Sequence, residues 1–427
     1  ISKGLIAAGV QPNDKVALIS ENRLEWNLID FAVQQVGAVL VAIYPNISDN
    51  DYRFILNDAE IKLCFVSNDS LYQRLLAIKE SFPLVQNVYT LNIYNNIPNW
   101  SELVVKGTSV SDEQLEAVMK QVSGADLATL IYTSGTTGTP KGVMLTHENL
   151  LADVFSSEYS FPVIAYDKAL TFLPSCHAYE RVFQYVYISI GCPIFYAQSL
   201  DSLGEDMKSV SPQIFSAVPR VLEKVYEKIM ATGESLAGIK RALFFWAIRL
   251  GEQYDLDETK LSAWYLFQLK IARKLIFSKW QAALGGAIKG VASGSATLQT
   301  RLLKLYLAAG IPIYEGYGLT EAGPCISVNC IKRGMKIGTV GIPLVGIEVK
   351  LGEDGEVLAK GKNIMQGYYK NPVATAEVLK DGWLHTGDIG QWDGEFLKIV
   401  DRKKEMFKTS GGKYVVPQQI EAKMSES

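Results

Sequence analysis

Short apolar runs alternate with amphipathic ones from the start of the chain. KVALIS (15–20) and AVLVAIYP (38–45) are nearly continuous in apolar residues and read as strands covered on both faces. Between them, WNLIDFAVQQVG (26–37) places apolar residues at helical intervals. A helix over DNDYRFILNDA (49–59) and a strand over LCFVSN (63–68) continue the alternation, which argues for a parallel sheet flanked by helices. The pattern lapses over the polar stretch 95–124 and resumes at LATLIYTSG (127–135). Residues 221–285 read as mainly helical. From about 311 to 400, glycines separate short β-like runs: GIPIYEGYG, GIEVKL, GEVLAKG, WLHTGDIGQW and FLKIV. These textures predict an α/β protein of two helix-covered sheet subdomains, 1–124 and 125–310, and a small β-barrel-like subdomain over 311–400. The charged turn DRKKEMFK (401–408) predicts a hinge, so that 401–427 begins a small α+β domain. No internal repeat stands out. The chain starts inside the helix-like run LIAAGV and stops at EAKMSES as a helical pattern begins, so it is expected to be part of a longer one.

Composition narrows the function. The 427 residues are 48% hydrophobic, enough for two or three cores. With 45 acidic and 42 basic residues the net charge is −3, which gives no electrostatic case for a nucleic-acid partner; residues 402–413 are a local basic patch. The five cysteines form no C-x-x-C pair and there are only three histidines, so no clustered zinc site is visible and free thiols in a reducing cytoplasm are expected. Two uncharged stretches, 31–48 and 182–200, are interrupted by Gln34, Gln35, Gly37 and Pro45, and by Gln184, Gly191 and Pro193. Each reads as a buried helix entering a buried strand rather than as a membrane span. A peripheral membrane contact would have to come from an apolar patch within 241–285, where FFWAI and AWYLF sit; core packing is the expected fate of that segment.

The strongest chemical signal is the run Thr133, Ser134, Gly135, Thr136, Thr137, Gly138, Thr139, Pro140, Lys141, directly after an apolar strand. Glycines let the backbone wrap closely around a polyphosphate, the hydroxyls supply neutral donors, and Lys141 adds charge. It is not a Walker A loop, because Lys141 follows Pro140 and precedes Gly142. The run resembles the phosphate-binding signature of the adenylate-forming superfamily, which includes acyl-CoA synthetases, luciferases and adenylation domains of peptide synthetases. Further motifs follow in the family's order over nearly the whole chain.

The resemblance implies a role for each motif. In Phe172-Leu173-Pro174-Ser175-Cys176-His177, His177 would border the acyl carboxylate. The segment Val218-Pro219-Arg220-Val221-Leu222 is similar to one in long-chain fatty acyl-CoA synthetases that borders the acyl tunnel, with Leu222 where some members carry a gating Trp. Ser293-Gly294-Ser295-Ala296 resembles the turn lining the adenine and acyl pockets, with Ser295 where a second glycine is usual; Gly294 would line the acyl pocket and Ser295 the nucleotide. In Gly316-Tyr317-Gly318-Leu319-Thr320-Glu321, Tyr317 would stack on adenine, Thr320 touch the α-phosphate and Glu321 help to hold Mg²⁺. Asp388 of Trp383-Leu384-His385-Thr386-Gly387-Asp388 would accept from the ribose hydroxyls, Arg402 would also reach the ribose, and Lys404 is the expected hinge. Lys403 reads as solvated, and Gly411 to Pro417 resemble the first strand and turn of the small domain.

The function implied is activation of a fatty acid with ATP to an acyl-adenylate, then transfer to coenzyme A. The carboxylate is itself the nucleophile, so the enzyme needs to align two anions and neutralise charge, with Lys141, Thr320, Glu321 and His177 as the catalytic set. A fatty acyl-AMP ligase delivering to a carrier protein shares the first step; luciferase-like oxidation shares it too. A non-catalytic acyl or nucleotide sensor is the alternative of another class, disfavoured by the joint presence of Thr320, Glu321, Asp388 and Arg402. The family's catalytic lysine would fall after Ser427, so this chain is expected to bind nucleotide but to adenylate poorly, which pyrophosphate release measures.

Overall fold

Strand Val39–Ile43 is buried along its whole length, as its unbroken apolar sequence requires. In the computed structural model it lies inside a seven-stranded sheet. The structure describes residues 1–133 and 139–403, and the backbone of 407–408 and 414–415. The first sheet runs, in spatial order, Gly367–Tyr368, Lys141–Thr146, Leu127–Thr133, Val39–Ile43, Lys15–Ile19, Ile61–Val66 and Asn87–Thr90. The second runs Ile342–Pro343, Cys325–Val328, Ile313–Gly318, Gly290–Ser293, Ile214–Ala217, Ala169–Thr171 and Ile194–Tyr196. In both, five strands are parallel and the last two turn antiparallel. A third, curled antiparallel sheet is built from Ile347–Leu351, Glu356–Gly361, Leu379–Lys380, Trp383–Asp393 and Phe396–Arg402.

Two expected boundaries move. Strand Leu127–Thr133 pairs with Val39–Ile43, so the first sheet extends well past 124. The segment 311–400 is divided among three sheets: Ile313–Gly318 and Cys325–Val328 complete the second, and Gly367–Tyr368 closes the first. Both shifts come from pairings between residues distant in sequence, which local patterning does not encode. The expected strand after 190 is also not buried. Ile194–Tyr196 is the edge of the second sheet, and Phe195 is exposed. Among the described residues, no helix is long and apolar enough to cross a membrane.

Helix Ala178–Ile190 is keyed to both sheets through two adjacent charged residues. Arg181 is fully buried and meets both oxygens of Asp30, on helix Leu24–Gln35, with Nε at 3.0 Å from Oδ2. Its Nη1 donates to Thr129 on strand Leu127–Thr133 at 2.6 Å, and its guanidinium lies 5.5 Å from the Trp26 ring. Glu180, also buried, accepts from Thr171 and Ser216, both on the second sheet. Burial pushes its carboxyl up to about 7, against the hydrogen bonds from Ser216, Thr171 and Gln184. Gln184 continues the network, donating to Thr171 and Ser175 and accepting from Asn27 at 2.8 Å.

Removing one partner of a buried ion pair strands the other charge. Asp30→Asn is expected to destabilise the protein by about 3–5 kcal/mol in chemical denaturation, and Asp30→Leu combined with Arg181→Met to cost less than that.

Candidate active site

Each sheet places a sequence motif at the point where its parallel strands give way to antiparallel ones. In the first sheet the glycine- and hydroxyl-rich run joins Leu127–Thr133 to Lys141–Thr146, with Thr133 opposite Lys141 in register. In the second, Leu319 to Pro324 join Ile313–Gly318 to Cys325–Val328. Carboxyl ends of parallel strands are where open α/β sheets place ligands. Ser134, Gly135, Thr136, Thr137 and Gly138 lie outside the described residues, as does Lys404.

The two turns are bridged by a residue that the motifs did not single out. Tyr368 pairs with Val143, two residues after Lys141, in the first sheet. Its hydroxyl donates to Glu321 Oε1 at 2.7 Å, and the Lys141 ammonium lies 5.1 Å from its ring centroid. Tyr368 thus holds the candidate phosphate lysine and the candidate metal carboxylate on one side chain, one by cation–π attraction and one by a charge-assisted hydrogen bond. Glu321 is further fixed by its carbonyl, which accepts from Met365 N at 2.9 Å. Glu321 Oε2 takes no hydrogen bond among the described residues, which contain no cluster of three metal-binding side chains. One free carboxylate oxygen fits a hard ion held mainly by phosphate and water oxygens rather than by a protein cage.

Tyr317, Asp388 and Arg402 also converge. Tyr317 OH donates to Asp388 Oδ2 at 2.8 Å, and Arg402 Nε lies 3.3 Å from Asp388 Oδ1. Burial, with the Asp388 charge beside it, pushes the Tyr317 phenol up. Gly318 has no room for a side chain: a Cβ there would stand 1.9 Å from the Pro324 carbonyl oxygen. Glu356 braces the turn before Asp388, accepting from Gly387 N at 2.9 Å and pairing with Lys403 at 3.0 Å. Lys403 is solvent-exposed as expected, and it also bridges Glu356 and Asp354, 2.6 Å away, because the strand pairing of 383–393 with 396–402 brings it over both acids.

Beside these residues a cavity is lined by His177, Ser293, Gly294, Ser295, Gly316 and Thr320 at its polar side. Phe161, Tyr179, Phe183 and Tyr314 form its aromatic wall, with Phe161 5.2 Å from Phe183 and 5.9 Å from Tyr314 between ring centroids. His177 is the N-cap of helix Ala178–Ile190, where Nδ1 accepts from Tyr179 N at 3.2 Å; burial holds its ring below the usual histidine value. Gly294 packs under the Tyr179 ring, which a Cβ would approach to 3.1 Å. Ser295 has φ +66°, the left-handed region that glycine occupies without the steric cost a Cβ brings. Leu222 is not among the lining residues. It is buried on helix Pro219–Glu234 and its carbonyl accepts from Tyr306 OH at 2.7 Å, so the amphipathic face of that helix turns it into the helical core.

The fold and this site define the nucleotide-binding domain of an adenylate-forming enzyme. Residues 1–369 match the family model described as AMP-binding enzyme, and the chain belongs to that family. It is 36% identical over 426 residues to the long-chain-fatty-acid–CoA ligase FadD15 of Mycobacterium bovis, covering 98% of this chain and 70% of that protein. It is 33% identical over 458 residues to human long-chain-fatty-acid–CoA ligase 1, covering 99% of this chain and 63% of the relative. Among solved structures, the inhibitor-bound N-terminal domain of FACL13 from Mycobacterium tuberculosis superimposes with a TM-score of 0.71 at 22% identity, covering 94% of this chain and 89% of that one. The o-succinylbenzoate coenzyme A synthetase of Bacillus subtilis, in complex with ATP and magnesium, gives 0.70 at 22% identity, over 99% and 76%.

Two outcomes check the geometry. Tyr368→Phe frees the Glu321 carboxylate and is expected to weaken binding of Mg–ATP by about 5- to 30-fold, roughly 1–2 kcal/mol. Calorimetry with chelator present should show metal-free ATP binding unchanged. The second concerns Glu315, buried beside the Gly316 turn, whose carboxyl is pushed up to about 8 by burial, against the Leu298 amide that donates to it. A folded-state value above the unfolded one means that its contribution is full below about 4.5 and is lost as pH rises through about 8. Glu315→Gln should therefore flatten the loss of stability across that window by up to a few kcal/mol, read by denaturation at its two ends.

Proposed function

We propose that the protein activates a fatty acid with ATP to acyl-AMP, releasing pyrophosphate, and passes the acyl group to coenzyme A. The observation that carries this reading is the convergence of Tyr317 and Arg402 on the buried carboxylate of Asp388, beside an aromatic-walled cavity, in a chain related at 33–36% identity to long-chain-fatty-acid–CoA ligases.

The fatty-acid carboxylate attacks the α-phosphorus and pyrophosphate leaves. Tyr317 lies against the adenine, and Asp388 accepts from the ribose hydroxyls with Arg402 holding its other oxygen. Lys141, Thr320 and the hydroxyl-rich run neutralise the phosphates, Thr320 at the α-phosphate. His177, kept neutral by burial, donates to the acyl carboxylate and costs no charge in the apolar cavity. Glu321 would hold Mg²⁺, which supplies charge neutralisation at the phosphate oxygens when bound. The thiol of coenzyme A then attacks the acyl carbonyl and AMP leaves. Lys404 is proposed as the pivot between the two steps. The unpaired cysteines, four of five buried, support a reducing cytoplasmic setting.

Non-hydrolysable acyl-adenosine sulfamates mimic the adenylate and test this directly. Calorimetric affinity should rise with acyl length, and Asp388→Ala should reduce it by about 10- to 100-fold. Tightest binding of short or aromatic acyl groups would overturn the fatty-acid assignment and leave the family intact. No binding by the folded chain would overturn the site itself.

A further inference from the structure

Helix Ala263–Ala272 is apolar on every face, interrupted only by Gln268 and Lys270. A helix of that kind is ordinarily buried all round. Here Tyr265, Leu269 and Ala272 enter the helical core, with Tyr265 OH donating to the Leu250 carbonyl at 2.8 Å. The opposite face is left in water. Trp264 is 67% exposed and Phe267 54%, and their rings stack at 5.6 Å with 23° between planes. The stripe runs on at helical spacing through half-buried Ile271 to exposed Leu275. The adjoining segment FFWAI packs as the pattern predicts, with Phe244, Ala247 and Ile248 buried; the exposure is confined to the outer helix.

Asp255 and Asp257, just before the helix, pair with Lys260, and from there on the charges along the stripe have one sign. Lys270, Lys274 and Lys279 are exposed and have no acidic partner among the described residues. From Thr259 to Tyr314 there are eight Lys or Arg residues and no Asp or Glu, in a chain whose net charge is −3. An outward Trp–Phe pair edged by lysines is complementary to a surface with an apolar interior and an anionic rim. A second copy of this net-acidic chain would have to offer an acidic-rimmed apolar face to match it.

We propose that the 264–275 face docks in the plane of an anionic lipid bilayer, with Trp264 and Phe267 at the headgroup–acyl boundary and Lys270 and Lys274 on the lipid phosphates. The proposal stands on the composition and exposure of this helix and does not depend on the fatty-acid reading. It would, however, place the protein where long acyl substrates partition.

Co-flotation of the protein with phosphatidylcholine vesicles, with and without phosphatidylglycerol, tests it. Binding is expected only when phosphatidylglycerol is present. It should fall at least tenfold in Trp264→Ser/Phe267→Ser, fall about tenfold in Lys270→Glu/Lys274→Glu, and weaken with salt. Quenching of tryptophan fluorescence by brominated lipid should be lost in Trp264→Phe. Unchanged binding in both double variants, or none to either vesicle, would overturn the proposal. So would self-association in sedimentation that Trp264→Ser/Phe267→Ser abolishes, which would assign the face to a second copy. Retained binding of an acyl-adenosine sulfamate by each variant shows that it is folded and keeps this outcome separate from that of the adenylation reading.

Discussion

The guanidinium of Arg181, buried without access to water and shared between Asp30 and Thr129, is the constraint from which the architecture follows. A buried charge tolerates almost no displacement, because each lost hydrogen bond leaves an unsolvated group. It therefore fixes helix 178–190 against helix 24–35 and against the strand that feeds the phosphate-binding run. One residue earlier, Glu180 does the same toward the second sheet with neutral donors. The helix acts as a spacer whose two sides are specified separately. Its first turn then places His177 and Tyr179 at the cavity with little freedom left.

Much of this was legible from residue order. The strands at 15–20, 38–45 and 63–68 are buried on both faces, so their apolar runs carried the signal without alternation. The phosphate-binding run and the Tyr317–Glu321 motif stood out because glycine and hydroxyl residues cluster where a strand ends. Tyr368 did not stand out. Its partners, Lys141 and Glu321, are far away in sequence, and the Gly-Tyr-Tyr step that carries it has no distinguishing local chemistry. Leu222 shows a complementary limit: an amphipathic helix indicates that one face is buried but not against what. Lys403 and the sheet membership of 127–133 turned on pairings that only the folded chain makes.

Ser295 shows how a departure from a family pattern is better judged by backbone angle than by size. Serine differs from glycine by few atoms, yet at φ +66° the missing Cβ is what glycine contributes. The position keeps the turn because Gly294, packed under Tyr179, and the end of strand Gly290–Ser293 hold its neighbours. The turn thus carries a small conformational cost at the edge of the cavity.

The two sheets show no sequence repeat, yet both run five parallel strands and then reverse, and the candidate site straddles the two reversals. A nucleotide held, as proposed, at one reversal through Lys141 and at the other through Thr320 and Glu321 would add a further tie between sheets already joined by helix 178–190 and by the Tyr368–Glu321 hydrogen bond. Ligand occupancy and the angle between the sheets are then reciprocal quantities: whatever opens that angle weakens the grip, and whatever fills the site stiffens the angle by the same free energy. Since helix 178–190 also joins the two sheets, its packing and the nucleotide would share one mechanical task.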